Sequence, residues 1–500
     1  MRKRPIFIIF AALVFGSTAA LAGSAHKSTT EPIEIGSRLE PFVDDYLIES
    51  MSGGLSLRMH RPRLTDPVLK FDAPWEGPGN HYITVFKDGD LYRMYYRCVR
   101  AGDMPASGKG WPMNTCYAES RDGTNWTRPK LGLIEFEGSK ENNIILTGPP
   151  GDWGSPTSNF FAFRDSNPQV APEEQYKGVG GINRGLYLLV SADGIHWKAK
   201  GSEPYMKHGM STVPMINGFD SHNVIFWDAG RERYQAYIRD MYLSPGLGER
   251  TRSVRVATSE DFANWSYPDW IDMGEAPPDQ LYTFSATPYF RAPHIYVAFP
   301  KRLLKYRNSG LPEKYDSLRG IGLSDSVFMF SRDGANWDRR YLEAFVRPGS
   351  DPLDWTDRSN YVAAGLVPTG PDEMSVYVLR HFRLPSINLR RGVLRADGFV
   401  SVNATYGGGE LVTRPLIFQG KNLVMNYATS AAGSVRVEIQ DEDGNPLPGY
   451  GLMQAVEHFG NSIEQVVTWD RGSDLSHLAG QAVRLRMLVR DGDLYSIRFQ

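Results

Sequence analysis

Short runs of apolar and aromatic residues alternate with polar, turn-forming stretches along almost the whole chain. Strings such as VIFWD, RYQAYIR, HIYVAFPKR and SVFMFS are rich in aromatic and β-branched residues, and Gly, Asp or Asn residues lie between them. This pattern is typical of β-strands joined by hairpins. The sequence therefore predicts an all-β protein.

One turn motif recurs along the chain. The strings SRDGTNW, SADGIHW, SEDFANW and SRDGANW contain Asp122, Asp193, Asp261 and Asp333. Their spacing of about 70 residues leaves room for four strands per unit. LRADGFVSV, with Asp397, keeps the Asp-Gly step one interval later without the tryptophan. Four-stranded units repeated around an axis form a β-propeller, so we expect five blades over residues 38–404. The aspartates are expected to be structural, because Asp side chains bond the backbone of such turns.

The pattern changes towards the end of the chain. Strings such as GSVRVEIQDEDG and AVRLRMLVRDG alternate tightly and lack the Asp-box tryptophan. We expect a separate β-sandwich over residues 409–500 that packs on the propeller as a stabilising accessory domain. The early string FVDDYLIE, residues 42–49, is expected to supply an outer or closing strand to the last blade.

The first residues have the features of an export signal. MRKRPIFIIFAALVFGSTAALAG combines a cationic start, a short apolar run and small residues at Ala20 and Ala22. This pattern predicts a secretory signal peptide over residues 1–22, with no membrane span after its cleavage. We therefore expect a secreted or periplasmic protein.

Charge and cysteine content narrow the choice of partners. A formal net charge of −2 gives no basic footprint for nucleic acid. The two cysteines, Cys98 and Cys116, fall on what we expect to be neighbouring strands of one blade, and in an oxidising compartment they are either a disulfide or a reduced pair. No Cys-rich spacing indicates a zinc site or a cysteine nucleophile. We expect a monomer.

Polar residues precede the first strand of several predicted blades. A propeller collects the starts of its innermost strands around a central funnel, so acidic residues at these places are expected to converge. The carboxylates in this position are Glu76, Asp152, Asp220, Asp279 and Asp357. Glycoside hydrolysis needs two carboxyl groups facing each other across the scissile bond, and a funnel lined with carboxylates supplies that chemistry.

Several longer strings resemble a known group of proteins. They are FVDDYLIE, FDSHNVIFWD, FPKR, SRDGANWDRR, LRADGFVSV and VRLRMLVRDGDLYSIRF. With these strings the chain resembles the five-bladed propeller glycoside hydrolases of families 32 and 43. It is more similar to a set of secreted bacterial proteins that resemble the N-terminal domain of family 32. The invertase-type strings WMNDPNG and RDP are absent from the sequence, so the resemblance does not extend to fructosidase activity.

The resemblance implies three catalytic carboxylates: a base or nucleophile, an orienting residue and a general acid. By blade position, Glu76 and Asp220 are two of them, and Glu343 is the third because a neighbouring Phe345 could raise the pKa of its carboxyl. Each has a structural alternative. Glu76 could cap the EGPG turn, Asp220 could orient its loop together with Asn223, and Glu343 could pair with Arg347.

Other residues are expected to contact substrate in the same funnel. They are Trp75, His222, Asn223, Arg239, Asp279, Lys301, Arg302 and Arg358. The basic residues among them could hold an anionic sugar, or could pair with the funnel carboxylates. Trp75 could stack on a sugar or anchor its loop. The sequence predicts no cofactor or metal ligand set, and single carboxylates in separate blades give no basis for inferring a structural Ca²⁺.

The sequence thus predicts a secreted glycoside hydrolase acting on a polysaccharide or oligosaccharide. A noncatalytic carbohydrate-binding propeller is the main alternative. A protein-binding scaffold and a glycoside phosphorylase, whose arginines would hold phosphate, are further alternatives.

Overall fold

The computed structural model describes residues 31–100, 114–148, 156–182, 185–207, 218–243, 249–318, 320 and 322–500. This part of the chain is all-β. Its helices are short 3-10 turns at Pro172–Glu174, Glu313–Leu318, Pro352–Asp354 and Ser476–Leu478. The predicted signal peptide, Asp152 and the loop between the two cysteines lie wholly or largely outside the described residues.

The first four strands lead into five successive sheet units, which we number I to V. The first strands are β1 (Ile33–Gly36), β2 (Glu40–Pro41), β3 (Ile48–Met59) and β4 (Arg63–Lys70). Sheet I contains β5 (His81–Asp88), β6 (Leu91–Cys98), β7 (Asn114–Ser120) and β8 (Ile144–Leu146). Sheet II contains β9 (Phe161–Arg164), β10 (Tyr176–Gly180), β11 (Gly185–Ser191), β12 (Lys198–Ala199) and β13 (Met206–Lys207).

The remaining units follow in chain order. Sheet III contains β14 (Val224–Asp228), β15 (Arg233–Leu243), β16 (Arg250–Ser259) and β17 (Asp269–Trp270). Unit IV is split into two three-stranded parts, formed by β18 (Gln280–Thr283), β19 (Ala286–Tyr289), β20 (Ala292–Ala298), β21 (Lys301–Leu304), β22 (Leu323–Ser326) and β23 (Met329–Ser331). Sheet V contains β24 (Tyr361–Val362), β25 (Val367–Pro368), β26 (Glu373–Arg380) and β27 (Asn388–Arg395).

The N-terminal strand β4 completes sheet V by pairing antiparallel with β27, so that Lys70 lies opposite Asn388 and Arg63 opposite Val393. The expectation that residues 42–49 close the last unit is therefore wrong. Most of that segment precedes β3, and β3 pairs with a strand of the C-terminal sheet instead. The alternating polar residues of RLTDPVLK suit an edge strand, and its Pro67 is tolerated there because only one side of β4 is paired.

Apolar clusters join each sheet unit to the next. Tyr95 of sheet I and Leu189 of sheet II share one cluster, and Val179 and Val224 join sheets II and III. Tyr237 of sheet III shares a cluster with Tyr296 of unit IV, and Val297 of unit IV shares one with Val376 of sheet V. Tyr377 of sheet V shares a cluster with Met94 of sheet I. Because both faces of a central strand are covered, β26 reads as a nearly continuous buried run. The contacts run in a cycle, from unit I through unit V and back to unit I.

The recurring aspartates organise the hairpin turns. The Asp122 carboxylate accepts the backbone N–H groups of Thr124 and Asn125 at 2.8 and 2.7 Å, and Asp193, Asp261 and Asp333 have the same arrangement. These backbone hydrogen bonds hold the pKa of Asp122 below its ordinary range. The structural role expected for these aspartates agrees with this geometry.

A tyrosine from the preceding sheet fastens three of these turns. Tyr377 of sheet V donates to the carbonyl of Gly123 at 2.6 Å, and Tyr95 and Tyr237 donate to Gly194 and Gly334 at 2.9 Å. These turns therefore also hold neighbouring sheets together.

Asp397, the fifth marker, has a different environment. It is fully buried and accepts hydrogen bonds from Arg291 of unit IV and from Asn426 and Ser496 of the C-terminal strands. It thus links the sheet units to the last part of the chain.

The last strands form an eight-stranded sheet with β1–β3. They are β28 (Val400–Thr413), β29 (Leu416–Phe418), β30 (Leu423–Gln440), β31 (Asn461–Val466) and β32 (Ala482–Phe499). The strand β28 runs across the predicted boundary at residue 409, and β3 pairs with it on both sides of that boundary. The N-terminal strands thus share one apolar core with residues 409–500, which includes Ile35, Leu411 and Met487.

Candidate functional site

Basic and tyrosine side chains from four of the five sheet units meet at one place, which we call the central cluster. Its members are Tyr82, Arg97, Asp220, Arg239, Arg252, Tyr282, Lys301 and Arg358. Tyr82 and Arg97 belong to sheet I, Arg239 and Arg252 to sheet III, and Tyr282 and Lys301 to unit IV. Asp220 precedes β14, and Arg358 precedes β24.

Strained backbone positions several residues at the starts of the inner strands. Tyr82, Phe219 and Arg358 have positive φ angles of 52°, 65° and 62°. A residue other than glycine in this region costs on the order of 1–3 kcal/mol, and such residues concentrate at functional sites. The loop before β14 is held by Asn223, whose side-chain amide donates to the carbonyls of Phe219 and Ser221 at 2.9 and 3.1 Å. This amide bonding explains how the loop keeps its shape.

Tyr282 is the hub of the cluster. The Lys301 ammonium lies 4.0 Å from the centroid of the Tyr282 ring, and the guanidinium carbons of Arg239, Arg252 and Arg358 lie 5.5, 5.5 and 5.4 Å from it. Cations at these distances are attracted by the electron-rich face of the ring. Arg97 contacts the second tyrosine, with its guanidinium carbon 4.9 Å from the centroid of the Tyr82 ring.

Two histidines form one wall of the cluster. His81 stacks on Tyr361 at a centroid distance of 4.5 Å, and its Nε2 lies 3.4 Å from Lys301 Nζ. His222 contacts the Tyr361 hydroxyl through Nδ1 at 3.1 Å and the Thr84 hydroxyl through Nε2 at 3.2 Å. Burial lowers the pKa of His222 to about 3, so this imidazole is neutral at physiological pH.

Burial and neighbouring cations work together on Lys301 and His81. Burial, followed by Arg358, lowers the pKa of Lys301 well below its ordinary value, although Asp357 acts in the opposite direction. Burial, followed by Lys301 and Arg97, lowers the pKa of His81. Both shifts have the sign expected where positive charge accumulates away from water.

Two carboxylates stand near these cations. Burial opposes the charge of Arg358, but Tyr282, Asp357, Tyr82 and Asp220 outweigh it and raise the pKa of this guanidinium. Asp220 is half-buried, and its backbone carbonyl accepts a hydrogen bond from Arg239 at 2.7 Å. Asp357 accepts from Nε and Nη2 of Arg383 at 3.1 and 3.3 Å. Of the predicted catalytic carboxylates that the structure describes, Asp220 is thus the one that belongs to the cluster.

The structure places Glu76 in a buried ion pair. Arg128 donates to both of its carboxylate oxygens at 3.0 and 2.9 Å, and Tyr96 and the backbone N–H of Ala73 donate to it as well. The bond to Ala73 closes the turn before β5. Glu76 thus has a structural role, but the turn that it closes is residues 73–76 and not the EGPG turn, where Asn80 accepts from the backbone N–H of Gly77.

Glu343 lies apart from the cluster. Its side chain is exposed, so it does not have the desolvated setting that would raise the pKa of an acid. The neighbouring Phe345 is buried and packs instead on Phe299 and Phe328. The desolvation that motivated Glu343 is therefore absent at its position.

Three other residues that were expected to contact substrate are bonded to other protein side chains. Trp75 donates from its indole nitrogen to Asn143 at 2.7 Å and packs edge-on against Phe136, which corresponds to loop anchoring. Arg302 points away from Lys301, as alternation along β21 requires, and pairs with Asp325 at 2.9 and 2.7 Å. Asp279 is held by Arg339 and lies 3.5 Å from Arg302.

Sequence reasoning missed Tyr82, Arg97, Arg252 and Tyr282. Arg97 lies in MYYRC and Tyr282 in QLYTF, so each is embedded in a run that looks like ordinary strand core. An arginine inside an otherwise buried strand is the signal that could have identified Arg97. Arg252 follows other basic residues in ERTRSVR, which is more typical of a solvated strand end.

One further group of side chains in the described part of the chain has metal-ligand geometry. Potential ligand atoms of Asp351, Asp354 and His381 lie within 4.8 Å of one another. Arg380 binds Asp354, and His381 Nε2 contacts Asp351 at 2.9 Å. These ion pairs account for the group without a metal.

No protein-family model matches the chain, and no curated protein matches it by sequence. Solved structures that are similar to this chain include a glycoside hydrolase that is 12% identical in sequence. The match covers 67% of this chain and 92% of the other, with a TM-score of 0.46. The catalytic domain of a Coprinopsis cinerea GH62 α-L-arabinofuranosidase has 10% identity, coverage of 68% and 98%, and a TM-score of 0.41. At such values the likeness carries no argument about the activity of this chain.

None of the helices in the described residues is both long and apolar enough to cross a membrane. The two cysteines form a disulfide between the adjacent strands β6 and β7, with their Cα atoms 5.8 Å apart. Of the two states left open by the sequence, the structure has the bonded one.

Proposed function

We propose that sheet units I to V are the five blades of a β-propeller, that the C-terminal sheet is a β-sandwich packed beside them, and that the central cluster lies at the propeller axis. The cyclic order of the apolar contacts supports this arrangement, because a ring of blades needs a packed interface between the last and the first. The pairing of β4 with β27 would close the ring through hydrogen bonds.

We infer that the chain is a secreted, glycan-acting protein of the glycoside hydrolase type. The observation that carries this proposal is the convergence of cationic side chains from units III, IV and V on Tyr282. Neighbouring residues at this place have positive φ angles, which cost free energy to maintain. Aromatic rings combined with many hydrogen-bond donors suit the alternating apolar faces and hydroxyls of a sugar. The disulfide and the predicted signal peptide support an exported protein.

Asp220 is the catalytic carboxylate in this proposal. Hydrolysis of a glycosidic bond requires an acid and a base on opposite sides of that bond. Asp220 is half-buried within the cluster, whereas Glu76 is neutralised by Arg128 and Glu343 is exposed elsewhere. Asp357 is the second carboxylate at the cluster, where Arg383 holds it in a fixed orientation.

Release of reducing sugar from plant and algal glycans tests this assignment. Wild-type protein should release sugar, and Asp220→Asn should reduce the rate at least about 100-fold, since a positioned acid or base contributes roughly that much. Asp90→Asn, which changes an exposed turn residue, is the matched control and should retain full activity. Equal rates for Asp220→Asn and wild type would remove Asp220 from the mechanism.

Binding without catalysis is a second candidate function. It is favoured by the commitment of Glu76 to Arg128 and by the exposure of Glu343, which leave Asp220 as the remaining member of the expected carboxylate trio. Titration calorimetry separates the two functions when it is run on the same glycans as the activity assay. Heat of binding with no release of sugar over many hours would establish the noncatalytic alternative.

A further inference from the structure

The central cluster contains more positive than negative groups. Among the described residues, five basic side chains meet there, namely Arg97, Arg239, Arg252, Lys301 and Arg358, and they face two carboxylates, Asp220 and Asp357. Arg383 occupies both oxygens of Asp357. Even if Asp220 neutralises one guanidinium fully, the cluster retains a positive excess.

Several of these cations are buried with unused donors. Arg239 is 4% exposed and Lys301 is fully buried. The Nε atoms of Arg239 and Arg252 have no hydrogen-bond acceptor among the described residues. The Nε atom of Arg358 also makes no hydrogen bond there, although it lies 3.6 Å from a carboxylate oxygen of Asp357. In the described part of the chain, the hydrogen-bond contact of Lys301 Nζ is with the imidazole of His81 at 3.4 Å, which leaves other donors of the ammonium group unused. Such burial is costly unless an acceptor arrives to occupy the donors.

We propose that the central cluster binds an oxyanion carried by the glycan, either the carboxylate of a uronic acid or a sulfate ester. This inference rests on the proposed function for the sugar, and on the cluster itself for the anion. Guanidinium groups bind planar carboxylates and sulfate oxygens through paired N–H donors, and they do so most strongly where water is excluded. Arg239 approaches from sheet III and Arg358 from sheet V, so the anion would be gripped from two sides of Tyr282.

The lysine has a distinct part in this site. The Lys301 ammonium lies 4.0 Å from the centroid of the Tyr282 ring, which Arg239 of sheet III and Arg358 also approach. An entering anion supplies the opposite charge that favours the ammonium form. The affinity should therefore fall as the pH rises through the range in which Lys301 loses its proton.

Calorimetric titration with matched oligosaccharides tests the inference. The ligands are oligogalacturonides and their carboxyl-reduced, neutral counterparts, and sulfated galactan oligosaccharides and their desulfated forms. We expect the acidic member of at least one pair to bind at least about tenfold more tightly than its neutral counterpart. The pair that binds identifies the oxyanion as carboxylate or sulfate. Equal affinity for acidic and neutral members of both pairs would overturn the inference.

Two site variants and one control variant test the location of the site. Arg239→Gln and Lys301→Met should each weaken binding of the acidic ligand about tenfold or more, whereas Arg121→Gln, at an exposed turn, should leave it unchanged. Far-ultraviolet circular dichroism verifies that each variant is folded, and Arg252→Gln replaces any that is not. Unchanged affinity in folded Arg239→Gln and Lys301→Met would overturn the assignment to this cluster.

The same experiments separate this inference from the proposed function. Inorganic sulfate and acetate serve as probes without a sugar. Suppose that sulfate and acetate compete for one site, that Arg239→Gln weakens their binding, and that no glycan binds. The anion site then stands and the glycan proposal fails. If neutral oligosaccharides are bound or cleaved and the acidic ones are not, the glycan proposal stands and the anion site fails.

Discussion

The Lys301 ammonium lies 4.0 Å from the centroid of the Tyr282 ring, at a place where both side chains are buried and further cations approach the same ring. A charge in this position destabilises the folded protein unless a ligand compensates it. The buried charge lowers the stability of the folded protein but prepares the site for an anion, and such a loss of stability is common at functional sites.

Replacing this lysine should therefore stabilise the unliganded protein. Lys301→Met keeps the aliphatic stem and removes the charge, so we expect the melting temperature at neutral pH to rise by about 2 °C or more. Because the pKa of Lys301 in the folded protein lies below its ordinary value of 10.5, the unfolded chain binds this proton more tightly. The stability should therefore rise as the pH rises from the folded-state pKa towards 10.5. The Lys301→Met variant lacks this titration, so its melting temperature should depend less on pH.

Differential scanning calorimetry between neutral and alkaline pH measures this effect. The groups that face Lys301 and could contribute to the same profile are His81, Arg239, Arg252, Tyr282, Asp357, Arg358 and Tyr361. Lys198→Met, at an exposed strand position, is the control and should leave both the melting temperature and its pH dependence unchanged. A lower melting temperature for Lys301→Met would contradict the argument.

Glu76 should matter for stability more than for chemistry. Glu76→Gln removes the negative charge of the carboxylate to which Arg128 and Tyr96 donate hydrogen bonds. We therefore expect the free energy of unfolding to fall by about 1.5–3 kcal/mol. Urea denaturation measures the loss. Glu141→Gln, in an exposed pair with Lys130, should change it by less than about 0.5 kcal/mol. Lost activity at full stability would instead make Glu76 catalytic.

Glu40 should govern stability in acid. Burial opposes its charge, but His294 and Arg332, supported by Arg38, lower its pKa to about 2 from an ordinary 4.5. The stabilisation is complete above pH 4.5 and is lost as the pH falls through that window towards 2, with a size of about 3 kcal/mol. Glu40→Gln should therefore be less stable at neutral pH and should lose less on acidification. Parallel profiles for the two proteins, from urea titrations at several pH values, would refute this.

The Cys98–Cys116 disulfide should stabilise the first sheet unit. It closes a loop with a sequence separation of 18, for which a chain-entropy estimate gives about 3 kcal/mol. The double variant Cys98→Ala/Cys116→Ala should thus unfold at lower urea concentration, and a reducing agent should have the same effect on wild type. A reducing agent should leave the double variant unchanged, which controls for indirect effects.

The local parts of this fold were accessible from the sequence, and the distant ones were not. The turn at Asp122 is made by bonds to residues two and three positions later, so its string alone predicts it. The pairing of β4 with β27 depends on a partner far along the chain, and nothing in RLTDPVLK specifies that partner. The sequence therefore predicts residues 42–49 as the closing segment of the last unit, whereas residues 63–70 take that place.

The site followed the same division. The sequence predicts Asp220, Arg239, Lys301 and Arg358 as site residues, because they are polar and lie at or near the ends of predicted inner strands. The role of Glu76 was hidden, because the arginine that neutralises it comes from a different turn of the same unit. The sequence does not predict the full positive charge of the cluster. Arg252 contributes to that charge, and strand alternation alone does not tell which face of its sheet this side chain occupies.

The pairing of β4 with β27 also sets the order in which the molecule can be assembled. The β4 strand is made before any of the sheet units, and its partner is made after four of them. Until then its hydrogen-bonding edge is open, although Asp66 and Pro67 make that edge a poor template for another chain. Contacts of such long sequence separation form late and slowly. The joining of residues 63–70 to residues 388–395 should therefore be a late event in refolding, and chains that fail to make it should exchange the strand with a neighbour.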